Sequence, residues 1–309
     1  MKPRILIVNM TFVEFMQRME TLPAVNSTVT GTSYDYIPGG EGAEMAVTAA
    51  ALGAEPILCS RIGADSNGQR LRAIFREMGI DTRFMFMDRR SPTGLVSIMT
   101  DGENSLTASY PGANSLLSVT DAEDAFTSLP DAAIISMRSP ERVIVAASEY
   151  AARKHIPLLV DGGPSGSDLA LSKLFPIEIF TLDETELESL TGIAPKTTEY
   201  CLRAAIRLAS LVKAKYYVIK MGSRGAFLYD GKYYNVIIAH NVTPQCGSGV
   251  GSVFDTALMT EYMRSHDIQR AAAYANAVSA LTLSRPGRLD AIPSEQELDE
   301  FIDRKGIKL

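Results

Sequence analysis

Short apolar segments alternate with helical segments along most of this chain, and this alternation restricts the possible folds more than any other feature. Runs such as ILIV (5–8) and AAIIS (132–136) are too short for helices and lack the polar alternation of a half-exposed strand. Strands that are apolar on both faces are typical of a parallel sheet with helices on both sides. The sequence therefore predicts an α/β fold with a mostly parallel central sheet.

The same pattern gives the expected positions of the individual elements. We expect strands at 4–8, 56–63, 132–136, 157–161, 178–182 and 216–222. We expect helices at 43–53, 66–79, 141–154, 198–214, 249–264, 268–284 and 294–304, and the region after 222 to be mainly helical.

Two segments interrupt this order, at about 11–38 and 82–112, and both are rich in β-branched and polar residues without helical periodicity. Turn residues at 90–92 and 101–103 divide the second segment into three short strands. We expect both segments to form antiparallel strands of a small β lid beside the main sheet. The sequence contains no repeat or linker, so we predict a single domain over 1–309 that carries this lid.

Composition excludes several classes of partner. The net charge of −6 argues against nucleic acid and against anionic membrane surfaces. The three cysteines are widely spaced and odd in number, which favours a reduced chain over a disulfide framework. The apolar run at 5–8 is too short for a secretion signal or a membrane span. We therefore expect a soluble cytoplasmic protein with a small-molecule partner.

A glycine-rich segment, CGSGVGSVFD (246–255), gives the first indication of chemistry. Gly247, Gly249 and Gly251 precede an apolar helical run, and glycines at a helix start leave backbone N–H groups open to an anion. The segment therefore predicts a phosphate site. The alternative is a helix start capped by Ser248 or Ser252, with glycines selected for close packing. The G-x-G-x-x-G spacing of a dinucleotide site is absent.

Six segments, in order, resemble the motifs of the ribokinase-like (PfkB) carbohydrate kinases. They are GGEGAEMAVTAAALG (39–53), RIGADSNGQRL (61–71), PTGLVSIMTDGENSLTASYPGAN (92–114), DETELESLTG (183–192), IKMGSRGAFLYDG (219–231) and YANAVSALTLSRPGRLDAIP (274–293). The resemblance implies a three-layer α/β/α sandwich with a lid that often forms a homodimer. It also implies that ATP and Mg²⁺ bind at the carboxyl edge of the sheet, and that phosphate is transferred to a sugar or nucleoside hydroxyl.

The resemblance also assigns the catalytic positions. Gly249 and Gly251 align with the glycines of the family's anion hole, and Ser252 occupies the position of the aspartate that accepts the hydroxyl proton. General-base catalysis contributes about 10²–10⁴-fold in rate, and a serine hydroxyl is a poor base at neutral pH, so we expect slow chemistry or none. Asp255, one helical turn later, is a candidate substitute base; the alternative is a solvated aspartate or one at the core edge.

The nucleotide half of the site follows from the same alignment. Asp183 and Glu186 align with the Asn-x-x-Glu motif that organises Mg²⁺ and phosphate in the family, with Glu186 acting indirectly on the metal. Both residues also fit a capping box at a helix start, and the two roles are compatible. The remaining residues that the resemblance places beside the nucleotide are Lys220, Gly222, Gly225, Gly247 and Asn276.

The sugar half of the site departs from the family. Glu14 replaces a sugar-binding aspartate, and Glu41 and Glu44 replace a lysine and an asparagine after Gly39 and Gly40. Arg138 stands where many relatives have a glutamate. Buried charges need partners, so we hypothesise a Glu44–Arg138 ion pair. The alternatives are an acidic pocket of Glu14, Glu41 and Glu44 for a cationic ligand, and solvated glutamates that favour the start of a helix.

Two functions fit these observations. The retained glycines and Glu186 favour an ATP-dependent sugar or nucleoside kinase that is slowed by the serine at 252. The combined changes at Ser252, Glu14, Glu44, Asp183 and Arg138 favour a catalytically silent relative that binds a ligand or has a regulatory role.

Overall fold

A computed structural model describes residues 2–163, 171–245 and 250–309 of the chain. The strands are β1 (Arg4–Val8), β2 (Phe12–Met19), β3 (Gly31–Gly39), β4 (Glu55–Gly63), β5 (Met85–Asp88), β6 (Leu95–Thr100), β7 (Ser105–Tyr110), β8 (Ala132–Ser136), β9 (Leu158–Asp161), β10 (Ile177–Asp183), β11 (Ala214–Lys220), β12 (Ala226–Tyr229) and β13 (Tyr234–Ile237). The α-helices are α1 (Glu41–Ala51), α2 (Ser66–Glu77), α3 (Val119–Phe126), α4 (Glu141–Lys154), α5 (Glu184–Thr191), α6 (Thr198–Ala209), α7 (Val250–Ser265), α8 (Ile268–Leu283) and α9 (Glu295–Lys305).

The large sheet has the order β13-β12-β11-β10-β9-β8-β1-β4-β5 among the described residues. Its strands from β11 to β5 run parallel, so the predicted α/β fold with a mostly parallel central sheet is confirmed. The antiparallel strands β12 and β13 extend one edge. They correct our expectation that the region after 222 is mainly helical. The sequence analysis missed these strands because a four-residue strand carries too short a periodic signal.

Two hydrophobic cores cover the two faces of this sheet. Along β1, Ile5 and Ile7 belong to the core with α1, α2, α7, α8 and α9, whereas Leu6 and Val8 belong to the core with α3, α4, α5 and α6. All four side chains are almost fully buried, as expected for a strand covered on both faces. The result is three layers, helices–sheet–helices. None of the helices in the described part of the chain is long and apolar enough to cross a membrane.

The second sheet, which we call the small sheet, has the order β3-β2-β6-β7. Its strands lie within the two segments predicted to form the lid, but β2 and β6 run parallel and not antiparallel. The first of the three strands predicted within 82–112, β5, is not part of the small sheet, because it pairs parallel with β4 at the edge of the large sheet. A strand that follows a helix returns parallel to the strand before the helix, and β4, α2 and β5 form such a unit.

Hydrogen bonds of Thr93 and Asn114 hold the segments that connect the two sheets. Thr93, two residues before β6, donates from its backbone N (2.8 Å) and its hydroxyl (2.6 Å) to Asp65, which also caps α2 by accepting from Gly68 N. Asn114, after β7, accepts from Thr11 N (3.1 Å) and donates to Thr11 O (2.8 Å) just before β2. The G-x-D-x-x-G motif therefore has a structural role at the junction.

Replacing Asp65 should destabilise this junction more than the loss of an ordinary helix cap. We expect Asp65→Ala to reduce the free energy of unfolding by about 2–4 kcal/mol, because the cap and two acceptors for Thr93 are lost. The control Asp267→Ala removes only the cap of α8 and should cost about 1 kcal/mol. Urea unfolding of both variants measures the difference, and equal losses would contradict a junction role.

The same variant gives a pH test. Burial raises the pKa of Asp65, but hydrogen bonds from Thr93 and Gly68 outweigh it and hold the pKa below its ordinary value of 3.8. A carboxylate with a lowered folded pKa stabilises the protein above its unfolded pKa, and this stabilisation is lost as pH falls through the folded pKa. The stability difference between native protein and Asp65→Ala should therefore shrink below pH 3.8. A constant difference down to the acid transition would be the contrary result.

Candidate functional site

A cleft of about 780 Å³ lies at the carboxyl ends of β9, β10 and β11, beside the small sheet. The last residues of these strands, Asp161, Asp183 and Lys220, line its floor. Phe12 and Val96 of the small sheet line the opposite wall. Open α/β sheets bind ligands at the carboxyl ends of their strands, so this cleft is the candidate functional site.

Lys220 carries the main positive charge on the floor of the cleft. Its ammonium lies 3.0 Å from Asp161 Oδ1 and 2.7 Å from Asp255 Oδ2. Burial lowers the pKa of Lys220, but the two carboxylates outweigh burial and raise it, so the side chain is protonated at neutral pH. A β-carbon added to Gly251 would lie 3.6 Å from the ammonium. The charge therefore lies beside the first turn of α7.

The first turn of α7 carries two of the predicted catalytic positions. Gly251 and Ser252 both line the cleft, and Ser252 is only 6% exposed. The first N–H groups of a helix have no partner within the helix, which suits an anion. Gly247, Ser248 and Gly249 lie outside the described residues. Of the predicted anion-binding loop, the structure therefore describes only the end, with Gly251 and Ser252.

Asp255 is fully buried, which corrects the alternative that it is a solvated aspartate. Complete burial raises its pKa well above the ordinary range, although Lys220 opposes this effect. Because Asp255 lies behind the Lys220 ammonium and pairs with it, the geometry favours a structural role for Asp255 over that of the substitute base.

Asp183 and Glu186 form the predicted capping box at the start of α5. Asp183 Oδ1 accepts from Glu186 N, and Glu186 Oε2 accepts from Asp183 N, each at 2.8 Å. Both residues line the cleft, and burial raises the pKa of Glu186. Among the described residues no hydrogen bond reaches Glu186 Oε1. Mg²⁺ is usually bound by one or two carboxylates together with phosphates and water, so this oxygen fits an indirect magnesium ligand.

Three further residues predicted beside the nucleotide, Gly222, Gly225 and Asn276, also line the cleft. Gly222 has a φ of 54°, and a β-carbon there would enter open space. A β-carbon at Gly225 would overlap the backbone oxygen of Ile237, so this glycine allows a close approach of two chain segments. Asn276 donates to the backbone oxygens of Ile237 (3.1 Å) and Ile238 (3.3 Å), which fixes the segment after β13.

In the sugar half of the cleft, Arg288 pairs with two buried glutamates. Its guanidinium bonds Glu14 on β2 and lies 2.6 Å from Glu44 on α1. Burial lowers the pKa of Arg288, but the charges and hydrogen bonds of Glu14 and Glu44 have the larger effect, so the pKa is raised overall. A β-carbon at Gly39 would overlap the Glu14 carboxylate, so the glycine leaves room for this carboxylate. Gly40, with a φ of 84°, precedes α1 and also lines the cleft.

The hypothesised ion pair between Glu44 and Arg138 is wrong. Arg138 Nε lies 2.5 Å from Glu41 Oε1, whereas Glu44 is bound by Arg288. The geometry does not favour the alternative of an acidic pocket for a cationic ligand, because Glu14, Glu41 and Glu44 all pair with arginines of the chain itself. Glu44 is only 6% exposed, which excludes a solvated carboxylate.

Among the described residues, Asp161 and Arg288 are the two charged residues of the cleft that the sequence analysis did not identify. Asp161 had a visible signal, because it ends a predicted strand and two glycines follow it. Arg288 follows Gly287, whose φ of 102° belongs to a turn, and no periodic pattern marks such a position.

Comparisons with known sequences identify the family of this chain. The profile described as pfkB family carbohydrate kinase matches residues 5–295. The chain is 28% identical over 285 residues to the ribokinase of Haemophilus influenzae, which covers 89% of this chain and 90% of the relative. It is 24% identical over 301 residues to the deoxyribokinase of Salmonella typhi, covering 96% and 98% of the two chains.

Solved structures show the same architecture. The structure of Arabidopsis thaliana ribokinase complexed with ribose and ATP has a TM-score of 0.86 at 20% identity and covers 98% of this chain and 99% of that chain. The nucleoside kinase of Methanocaldococcus jannaschii has a TM-score of 0.75 at 16% identity, covering 98% of each chain. The predicted ribokinase-like fold and the predicted resemblance are thus confirmed. The chain belongs to the pfkB family of carbohydrate kinases.

Proposed function

We propose that the protein is an ATP-dependent kinase that transfers the γ-phosphoryl group to a hydroxyl of a small sugar or nucleoside. The observation that carries the proposal is the Lys220 ammonium beside Gly251, on the floor of a cleft whose other half holds fixed carboxylates and guanidinium groups. The similarity to ribokinase and deoxyribokinase supports the substrate class, and the neighbour complexed with ribose and ATP supports the nucleotide.

The nucleotide half has the groups that phosphoryl transfer needs. This reaction depends mainly on positioning and on stabilisation of negative charge. Lys220 and the first turn of α7 supply positive charge, and the open space at Gly222 admits a ligand. Mg²⁺, held indirectly through Glu186, would neutralise phosphate charge when bound.

The acceptor half is built from two charge clusters: Arg288 with Glu14 and Glu44, and Arg138 with Glu41. Carboxylates accept hydrogen bonds and guanidinium groups donate them, so together they can bind the hydroxyls of a polyol. Because each cluster is held by its own ion pairs, the hydrogen-bonding atoms have fixed positions before a ligand binds.

We also propose that the small sheet forms the contact of a homodimer. Strand β7 is exposed along its whole length, and Tyr34, Leu106 and Tyr110 are large apolar side chains exposed on this sheet. Large apolar side chains exposed on one sheet are common at protein interfaces.

The catalytically silent alternative is favoured by Ser252 together with the burial of Asp255, because neither the usual base nor the candidate substitute is a carboxylate exposed in the cleft. Turnover therefore decides between the two functions.

A panel of pentoses, deoxypentoses, hexoses and nucleosides should identify at least one acceptor that the native protein phosphorylates with ATP and Mg²⁺. Phosphorus NMR and mass spectrometry detect the phosphorylated product directly. Ser252→Asp serves as the comparison, because it restores the family's carboxylate. If the native protein transfers no phosphate and Ser252→Asp does, the silent alternative holds.

Removing the charge of Lys220 should weaken nucleotide binding. We expect Lys220→Met to reduce the affinity for ATP at least about tenfold, equivalent to about 1.4 kcal/mol, because the ammonium beside Gly251 is lost. The control Lys215→Met removes a lysine from the other end of β11, where it pairs with Glu178. Calorimetric titration measures both affinities, and equal binding by the two variants would contradict a phosphate-binding lysine.

Removing Arg288 should leave two buried carboxylates without their cation. We expect Arg288→Met to lower the free energy of unfolding by about 3–5 kcal/mol and to weaken acceptor binding. The control Arg285→Met removes an arginine of the same segment whose partner, Glu297, is half-exposed, and it should cost at most about 1 kcal/mol. Denaturant unfolding compares the two, and similar losses would contradict the assigned role of Arg288.

A further inference from the structure

The cleft has no carboxylate at position 252, and the carboxylate of Asp255 is enclosed behind Lys220. A kinase with this arrangement needs another group to accept the proton of the acceptor hydroxyl. Such a group must border both the acceptor half and the phosphate half of the cleft, because the proton leaves the atom that attacks the phosphorus.

Asp161 meets this condition through its position in the sheet. It is the last residue of β9, in register with Ser136 on β8, and Arg138, two residues after Ser136, pairs with Glu41 in the acceptor half. On its other side, Asp161 Oδ1 accepts from the Lys220 ammonium at 3.0 Å, which lies beside Gly251 in the phosphate half. The carboxylate therefore lies where the two halves meet.

The contacts of Asp161 leave one oxygen for a ligand. Lys220 binds Oδ1, and the backbone oxygen of Asp161 accepts from Met137 N at 2.9 Å, so the residue is held at both ends. Within the described ranges of the chain, Oδ2 accepts no hydrogen bond. The residue is 6% exposed and lines the cleft, so a small acceptor can reach this oxygen.

The other carboxylates near Asp161 each have one oxygen bound by another group. The second oxygens of Glu41 and Asp255 are buried, and that of Glu186 is the one assigned to Mg²⁺. Glu41 from α1 pairs with Arg138, and Glu186 from α5 accepts from the backbone at the start of its own helix. Asp255 from α7 pairs with Lys220 from β11. Burial is the main cause that raises the pKa of Glu41, and the charge of the nearby Asp161 carboxylate raises it further.

We propose that Asp161 is the general base of this kinase, in place of the aspartate that Ser252 replaces. The inference rests on the proposed function. The acceptor O–H bond breaks and its proton passes to Asp161 Oδ2, while the acceptor oxygen forms a bond to the γ-phosphorus of ATP. The bond from the γ-phosphorus to the bridging oxygen breaks, and ADP leaves with that electron pair.

The test is Asp161→Asn, assayed with an acceptor that the native enzyme phosphorylates. We expect kcat to fall by about 10²–10⁴-fold, while calorimetric titration shows ATP affinity within about threefold of native. The matched control Glu178→Gln changes a carboxylate that pairs with a lysine at the opposite edge of the sheet, and it should keep native kcat. Asp161→Glu keeps the charge beside Lys220 and displaces the oxygen, so it should fold and show an intermediate kcat.

A rescue experiment separates a base from a merely structural residue. Adding Ser252→Asp to Asp161→Asn supplies a carboxylate from the first turn of α7. We expect kcat of this double variant to be at least about tenfold higher than kcat of Asp161→Asn alone. Native kcat in Asp161→Asn, or a parallel loss of ATP affinity in Asp161→Asn and Asp161→Glu, overturns the assignment of the base but leaves the kinase function standing. A native protein that phosphorylates no acceptor in the panel overturns the proposed function itself, and the base with it.

Discussion

The Lys220 ammonium between two buried carboxylates is the interaction on which the cleft depends. Its partners come from β9 and α7, so one side chain joins the central strands to the helix whose first turn faces the cleft. An unpaired charge in such a position costs several kcal/mol, so the three elements are held in a fixed arrangement. The same pairing puts a positive charge beside Gly251. The proposed phosphate position and the neutralisation of its charge therefore depend on the same lysine.

The acceptor half shows the same constraint, because the Arg288 guanidinium pairs with the buried carboxylates of Glu14 and Glu44. The family resemblance assigns a lysine and a glutamate to two positions where this chain has Glu41 and Arg138, and these two residues pair at 2.5 Å. Glu44 adds a further negative charge where relatives have a neutral asparagine, and Arg288 supplies its counterion. Each of these three glutamates thus has an arginine partner within the chain, although Glu14 and Glu44 share one.

Local pattern was sufficient to predict the central strands, the capping box at Asp183 and the place of the cleft, because each depends on residues that are close in sequence. It was insufficient for the ion pairs. Arg288 and Glu44 are 244 residues apart, and a helix start with two glutamates does not reveal which arginine each will meet. The strand β5 was assigned to the wrong sheet for a related reason, since a short apolar run carries no information on its neighbour.

The serine at 252 is consistent with this balance of charges. Asp161, Glu186 and Asp255 already act on the single ammonium of Lys220, and burial with Asp161 nearby raises the pKa of Asp255. A further carboxylate in the first turn of α7 would add a like charge to a cluster with one cation, and like charges at short range oppose ionisation. A neutral residue at 252 relieves this repulsion. Loss of the usual aspartate therefore does not imply loss of the chemistry, because Asp161 and Lys220 keep a carboxylate and a cation where the two halves of the cleft meet.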